Sequence, residues 1–140
     1  MSRTVRIQKA KLAPIINLLF DLPLKRTQAR HRTKFMMILQ KHFEEYQQDY
    51  QDLLKEHCHL DEEGNPIMKE DNTPDIKDMQ AFLEDKKKLD EEEVVVEGGN
   101  VQEILKTVKE VLLNCDKEFQ GYESIIYDYI CDQFEKGVKD

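Results

Sequence analysis

Residues at Met36, Leu39, Phe43, Tyr46, Tyr50, Leu53, His57 and Leu60 are spaced 3, 4, 3, 4, 3, 4 and 3 apart. All but His57 are apolar or aromatic. This unbroken heptad alternation predicts one long helix from about Gln28 to about Leu60. Thr27 is the expected N-cap. At 1.5 Å per residue such a helix is about 45–50 Å long. One short partner cannot cover it. Its face (Met36, Leu39, Phe43, Tyr46, Tyr50, Leu53) is therefore expected to pack on several shorter helices or to self-associate with a second copy.

Shorter patterns flank it. Val5-Arg6-Ile7 alternates and predicts an edge strand or extended arm. Leu12–Phe20 predicts an apolar helix with Ile15, Ile16, Leu19 and Phe20 on one face. Pro14 fits its first turn, where a missing N–H costs little. Pro23 disfavours helical geometry at Leu22 and stops it. Beyond the long helix, Asp61-Glu62-Glu63-Gly64-Asn65-Pro66 is a breaker, with Gly64 free to take a positive φ. Residues 67–74 read as an irregular acidic connection with a turn at Asn72-Thr73-Pro74. Asp75 is the expected cap of a helix over Ile76–Leu89, with Ile76, Met79, Phe82 or Leu83, and Leu89 inward.

Val94-Val95-Val96 is the one clear β-branched run, and it predicts a strand able to pair with Val5–Ile7. Gly98-Gly99 ends it, and Asn100 is the expected cap of a helix over Val101–Leu113. A last helix is predicted over Tyr122–Lys136, with Tyr122, Ile125, Ile126, Tyr129, Ile130 and Phe134 at helical spacing. No internal repeat stands out. The fold class expected is mainly α: a long helix packed on three or four shorter ones, with a small two-stranded ribbon. One domain is expected over residues 1–140, long enough to bury about two-thirds of its unfolded surface.

Charge changes the picture most. Residues 1–42 carry ten Lys/Arg and one acid (+9), and residues 43–140 carry eleven Lys/Arg and twenty-eight acids (−17), which together give the net −8. A basic arm and an acidic body can attract each other, a neighbouring copy, or two different partners. Arg26, Arg30 and Lys34 fall at i, i+4 and i+8 and form one ridge, while Arg32 points elsewhere. The ridge is expected to pair with acids of the later helices or of a neighbouring subunit. A protein partner is the next reading. Phosphate binding is disfavoured, because the aromatic interleaving of a single-strand binder is missing. The acids Asp61, Glu62, Glu63, Glu70 and Asp71, with Glu91, Glu92 and Glu93, are candidates to contact a partner; together with Asp75, Asp78 and Asp90 they are candidates to imitate the phosphates of DNA in a basic groove.

Other chemistry is thin. A calcium loop started at Asp61 puts Gly at position 4 and Asn72 at 12, which fails the EF-hand pattern. His57-Cys58-His59 has no spaced second pair for zinc, and adjacent helical residues point apart. Cys58, Cys115 and Cys131 form no CxxC and read as free thiols in a reducing cytoplasm. No catalytic motif, cofactor motif, signal peptide or membrane span is found, so a non-enzymatic protein is expected.

The order of pieces carries a family resemblance. A basic segment (Arg30, Arg32, Lys34, Phe35) opens the long helix, and Asp61-Glu62-Glu63-Gly64-Asn65-Pro66 ends it. A Val-Val-Val strand precedes a helix ending Leu112-Leu113-Asn114. Tyr127-Asp128-x-x-Cys131-x-x-Phe134-Glu135 closes the chain. Over almost its whole length the chain resembles domain of unknown function family 1617, small proteins of tailed phages and prophages of Gram-positive bacteria. The resemblance transfers no active site. It implies a role in the virion, its assembly, or accessory dealings with the host. A phage structural protein or host defence protein is then the expected partner, with a homo-oligomer as a further option, in the cytoplasm of the infected bacterium or on the virion.

Overall fold

The computed structural model describes residues 2–139. Two strands and five helices follow in order: β1 (Val5–Gln8), α1 (Leu12–Phe20), α2 (Arg26–His57), α3 (Met79–Glu91), β2 (Glu93–Val96), α4 (Gln102–Leu113) and α5 (Gly121–Gly137). Short 3-10 turns lead into α1 and α4.

β1 and β2 pair antiparallel, Val5 opposite Val96 and Ile7 opposite Val94. Alternation turns those four side chains to one buried face. The ribbon packs on α5, where Tyr129 Oη accepts from Gln8 N at 2.9 Å and Gln133 Nε2 donates to Arg6 O at 2.7 Å. Gly137 touches the start of β1. A Cβ there would lie 1.6 Å from Thr4 O, so only glycine fits.

The main core gathers α1, the first half of α2, α4, α5 and the ribbon. Phe35 of α2 meets Phe134 of α5 edge-on at 5.4 Å, and both rings are fully buried. α4 contributes Leu105, Val108, Val111 and Leu112 from one stripe, spaced 3, 3 and 1.

Past Phe43, α2 leaves this core and becomes one side of an arm. α3 returns alongside it. Between them sits a second, small core of Leu54, Cys58 and Phe82, with Tyr50, Leu53 and Ile76 against it. The heptad face is therefore covered within the chain. Met36, Leu39 and Phe43 face the main core; Tyr46, Tyr50, Leu53 and His57 face α3. Leu60 drops out and is exposed.

The tip of the arm, 58–76, is ordered rather than irregular. Three extended segments pair in a ring: Cys58 with Ile76, Leu60 with Pro66, and Met68 with Pro74. Ile67 N donates to His59 O, Asp75 N to Ile67 O, and His59 N to Asp75 O, at 2.8, 2.8 and 3.0 Å. The three residues are eight apart, so an eight-residue repeat emerges that the sequence pattern hid. Its two turns match. Gly64 N donates to Asp61 O and Asp61 N to Asn65 O; Asn72 N donates to Lys69 O and Lys69 N to Thr73 O. Gly64 (φ 83°) and Asn72 (φ 64°) take the left-handed position of each.

This ring moves several boundaries. α2 stops at His57 rather than near Leu60, because Cys58 is already extended and paired. Asp75 is held in the ring and cannot start a helix. Asp78 caps α3 instead, its carboxylate accepting from Ala81 N at 3.2 Å. Thr27 lies inside α2 and takes a hydrogen bond from Arg30, while the N-cap is Lys25 without a side-chain bond. Asn100 lies in a 3-10 turn and makes no capping bond.

Of Phe82 and Leu83 it is Phe82 that turns inward, while Phe20, Met79, Tyr122 and Ile125, though in the helical pattern, are exposed. A 3–4 pattern marks a wide stripe, and the neighbouring elements cover only part of it.

Candidate interaction surfaces

The first surface lies where α1 hands over to α2. After Phe20 the chain turns through Leu22-Pro23-Leu24, and α2 runs back beside α1. Arg32 is spent on that corner. Its Nη1 donates to Leu19 O at 2.7 Å and Leu22 O at 2.8 Å, placing a cation on the carbonyl end of α1. Its Nε is buried with no partner.

Arg26, Arg30 and Lys34 stay exposed along one ridge. None forms an ion pair among the described residues; Arg30 bonds Thr27 on its own helix at 3.2 Å. The expected pairing with acids of the later helices is absent. The densest acids, Glu62, Glu63 and Glu70, lie beyond the far end of α2. Helical spacing also adds Met37 and Lys41 to this ridge, three and seven residues after Lys34. Met37 is 67% exposed, and Phe20 beside it on α1 is 71% exposed. Together with Ile16, Thr33, Met36 and Gln40 they line an open groove of about 270 Å³. The signal for Met37 was its position off the heptad, among bases. Nothing local marked Phe20.

The second surface is the tip of the arm. Glu62, Glu63 and Glu70 project into solvent from the two turns. Asp61 and Asp71 are also exposed but brace those turns. Asp61 Oδ1 accepts from Glu63 N and Asn65 N at 2.9 and 3.0 Å. Asp71 Oδ1 accepts from Thr73 Oγ1 and N at 2.6 and 3.1 Å, and the hydroxyl bond holds its carboxyl below the usual aspartate range. Exposed Leu60, Ile67 and Met68 sit among these acids.

Glu91, Glu92 and Glu93 do not belong to this surface. They lie at the other end of α3, by the ribbon. Glu92 takes an ion pair from Lys9 at 2.7 Å, and Glu91 lies 3.9 Å from Lys87. The acids grouped by sequence are thus split in two.

Between the surfaces, polar bonds join arm and body. Tyr46 Oη donates to Asp90 at 2.5 Å, and Lys86 donates to the same carboxylate at 2.6 Å. Burial first, then Asp90, pushes the Tyr46 hydroxyl well above its ordinary pKa of 10. His57 Nε2 lies 2.7 Å from Asp85 and its ring meets Phe82 edge-on. Glu56, His57 and Asp85 offer ligand atoms within 4.8 Å of one another. A metal there would have to replace the His57–Asp85 bond, which joins α2 to α3. The three cysteines are free, and burial raises the thiols of Cys58 and Cys131. No helix among the described residues is long and apolar enough to cross a membrane.

The sequence profile of the family described as Protein of unknown function (DUF1617) matches residues 5–140. The chain belongs to that family. The match begins at the first residue of β1 and covers the body, the arm and its tip, so both surfaces lie inside the family's own extent. No curated protein and no solved structure matches the chain.

Proposed function

We propose that this member of the family is a non-enzymatic accessory or tail- and assembly-associated protein of a phage, acting through protein–protein contacts. One observation carries the reading. Two exposed surfaces of opposite charge, each with exposed apolar side chains among its charges, stand at opposite ends of one helix. Such paired surfaces suit a protein that joins two others or joins copies of itself. The resemblance to phage proteins adds the setting: the cytoplasm of an infected bacterium, and in part the virion.

The test is to recover tagged protein from infected or prophage-induced cells and identify what comes with it. Tail or baseplate proteins support the reading. A host nuclease or defence complex overturns it and supports a second one, in which the acidic tip imitates DNA phosphates. What favours that second reading is the display of Glu62, Glu63 and Glu70 on a braced arm clear of the body. A third reading, nucleic-acid binding by Arg26, Arg30 and Lys34, is favoured by their lack of acidic partners. It predicts retarded nucleic acid, lost on charge reversal at those three residues.

A further inference from the structure

We propose that the partner of the basic ridge is the acidic tip of a second copy of this chain. This rests on the protein–protein reading above and names the partner.

The two ends are complementary in charge. Residues 20–42 hold six bases and one acid, and residues 57–78 hold seven acids and two lysines, or +5 against −5. They are also alike in apolar content. Phe20 and Met37 stand exposed among the bases, and Leu60, Ile67 and Met68 among the acids. Within one chain the ends cannot meet. Twenty-three residues of α2 lie between Lys34 and the tip, which begins after His57, about 35 Å at 1.5 Å per residue. The Debye length is about 10 Å at 0.1 M salt, so they barely sense each other. The attraction that composition sets up is satisfied only between molecules.

The contact is heterologous, because the surface on one copy differs from the surface it meets on the next. Such a contact closes into a ring if the rotation allows and otherwise grows into a chain. The tip suits docking. Its three segments hydrogen-bond in a closed ring, so the acids are held on a defined frame and little order remains to be gained on binding. The ridge is equally fixed, on a helix anchored by Phe35 and Leu39 in the main core.

The experiment is sedimentation velocity on the full chain over a range of concentration and salt, with two variants. The ridge variant carries Arg26→Gln, Arg30→Gln and Lys34→Gln. The tip variant carries Glu62→Gln, Glu63→Gln and Glu70→Gln. Asp61 and Asp71 are left alone because they brace the turns. All six side chains are exposed, and circular dichroism checks that the helices are kept. Wild type is expected above 16.6 kDa at low salt, rising with concentration and falling back toward 16.6 kDa at high salt. Each variant alone is expected at the monomer mass. Mixed one to one, they are expected to form a species of twice that mass and stop, because each supplies the end the other lacks.

A wild type that stays monomeric at every concentration and low salt overturns the proposal. So does an oligomer indifferent to both sets of substitutions, or a mixture that remains monomeric. Retardation of a duplex DNA by wild type, lost in the ridge variant and without self-association, overturns it in favour of phosphate. A monomer that still recovers a tail protein from cells overturns this contact and leaves the proposed function standing. Charge-dependent oligomers that recover a host nuclease do the reverse.

Discussion

The main body and the arm share one helix but hold it by different means. Around Phe35 and Leu39, α2 is enclosed by α1, α4 and α5, and among the described residues the cluster there has twenty buried side chains against three in the small cluster of the arm. Past Phe43, α2 has one helical neighbour, and its contacts turn half polar: Tyr46 to Asp90, His57 to Asp85. The body is thus held mainly by apolar burial. The arm depends on a few rings and on these polar side-chain bonds. It is the region expected to open first, on its own, while the body stays folded. That division fits a molecule whose rigid body carries one charged surface and whose arm carries the other.

The largest blow to this contrast is Phe35→Ala. The ring is fully buried against Phe134 where α2 and α5 meet. A loss of about 4 kcal/mol is expected, read as a lower thermal midpoint of the body. A body midpoint unchanged from wild type would contradict this.

Phe82→Ala should sharpen the contrast instead. The ring packs against Tyr50 and His57 in the small core. We expect a local loss of about 3 kcal/mol. Hydrogen exchange would then quicken across the second half of α2 and across α3, while α4 and α5 stay protected. Equal quickening in α4 would mean the arm and the body are one cooperative unit.

Tyr46→Phe acts at the joint. It removes the bond to Asp90, which keeps Lys86, and should cost about 1 kcal/mol. The sign with pH follows from the raised hydroxyl. The folded state favours the neutral phenol, so this contribution is complete below pH 10, the ordinary tyrosine value, and fades as pH climbs past it. Wild type and Tyr46→Phe should therefore converge in arm stability at high pH, read by exchange of the arm amides.

Asp71→Ala is the smallest change, at the exposed second turn. Its carboxyl is held low by Thr73, so its support is present above about pH 3.8, the ordinary aspartate value, and is lost as pH falls through its lower folded value. Faster exchange of the Thr73 amide at neutral pH is expected, and no shift in the main thermal transition.

Much of the body was legible from pattern alone. Leu12–Phe20 is a helix with the expected bounds, and the one β-branched run pairs with the one alternating segment. Side chains at its margins, such as Phe20, were assigned wrongly, because a periodic pattern says which residues share a face but not how much of it a neighbour covers; the caps expected at Thr27 and Asn100 were misplaced as well. The tip was not legible. Its order comes from three segments bonding through backbone groups, which leave no side-chain periodicity, and from an asparagine serving where a glycine served eight residues earlier. The basic ridge was found, but Arg32 proved to cap α1, and Met37 gained meaning only beside Phe20.

Helix and strand period, the heptad of α2, the charge split and the family resemblance are properties of neighbouring residues or of the chain read in order. The sequence by itself therefore determined that the protein is mainly helical, built on one long helix, basic at one end and acidic at the other. Whether opposite charges meet is a matter of distances across the fold. Only the tertiary structure decided that the heptad face is covered within the chain and that the acids divide between tip and ribbon. It also decided that one helix of thirty-two residues holds the basic ridge and the acidic tip apart, because geometry at that range depends on how elements pack and not on what any short stretch prefers.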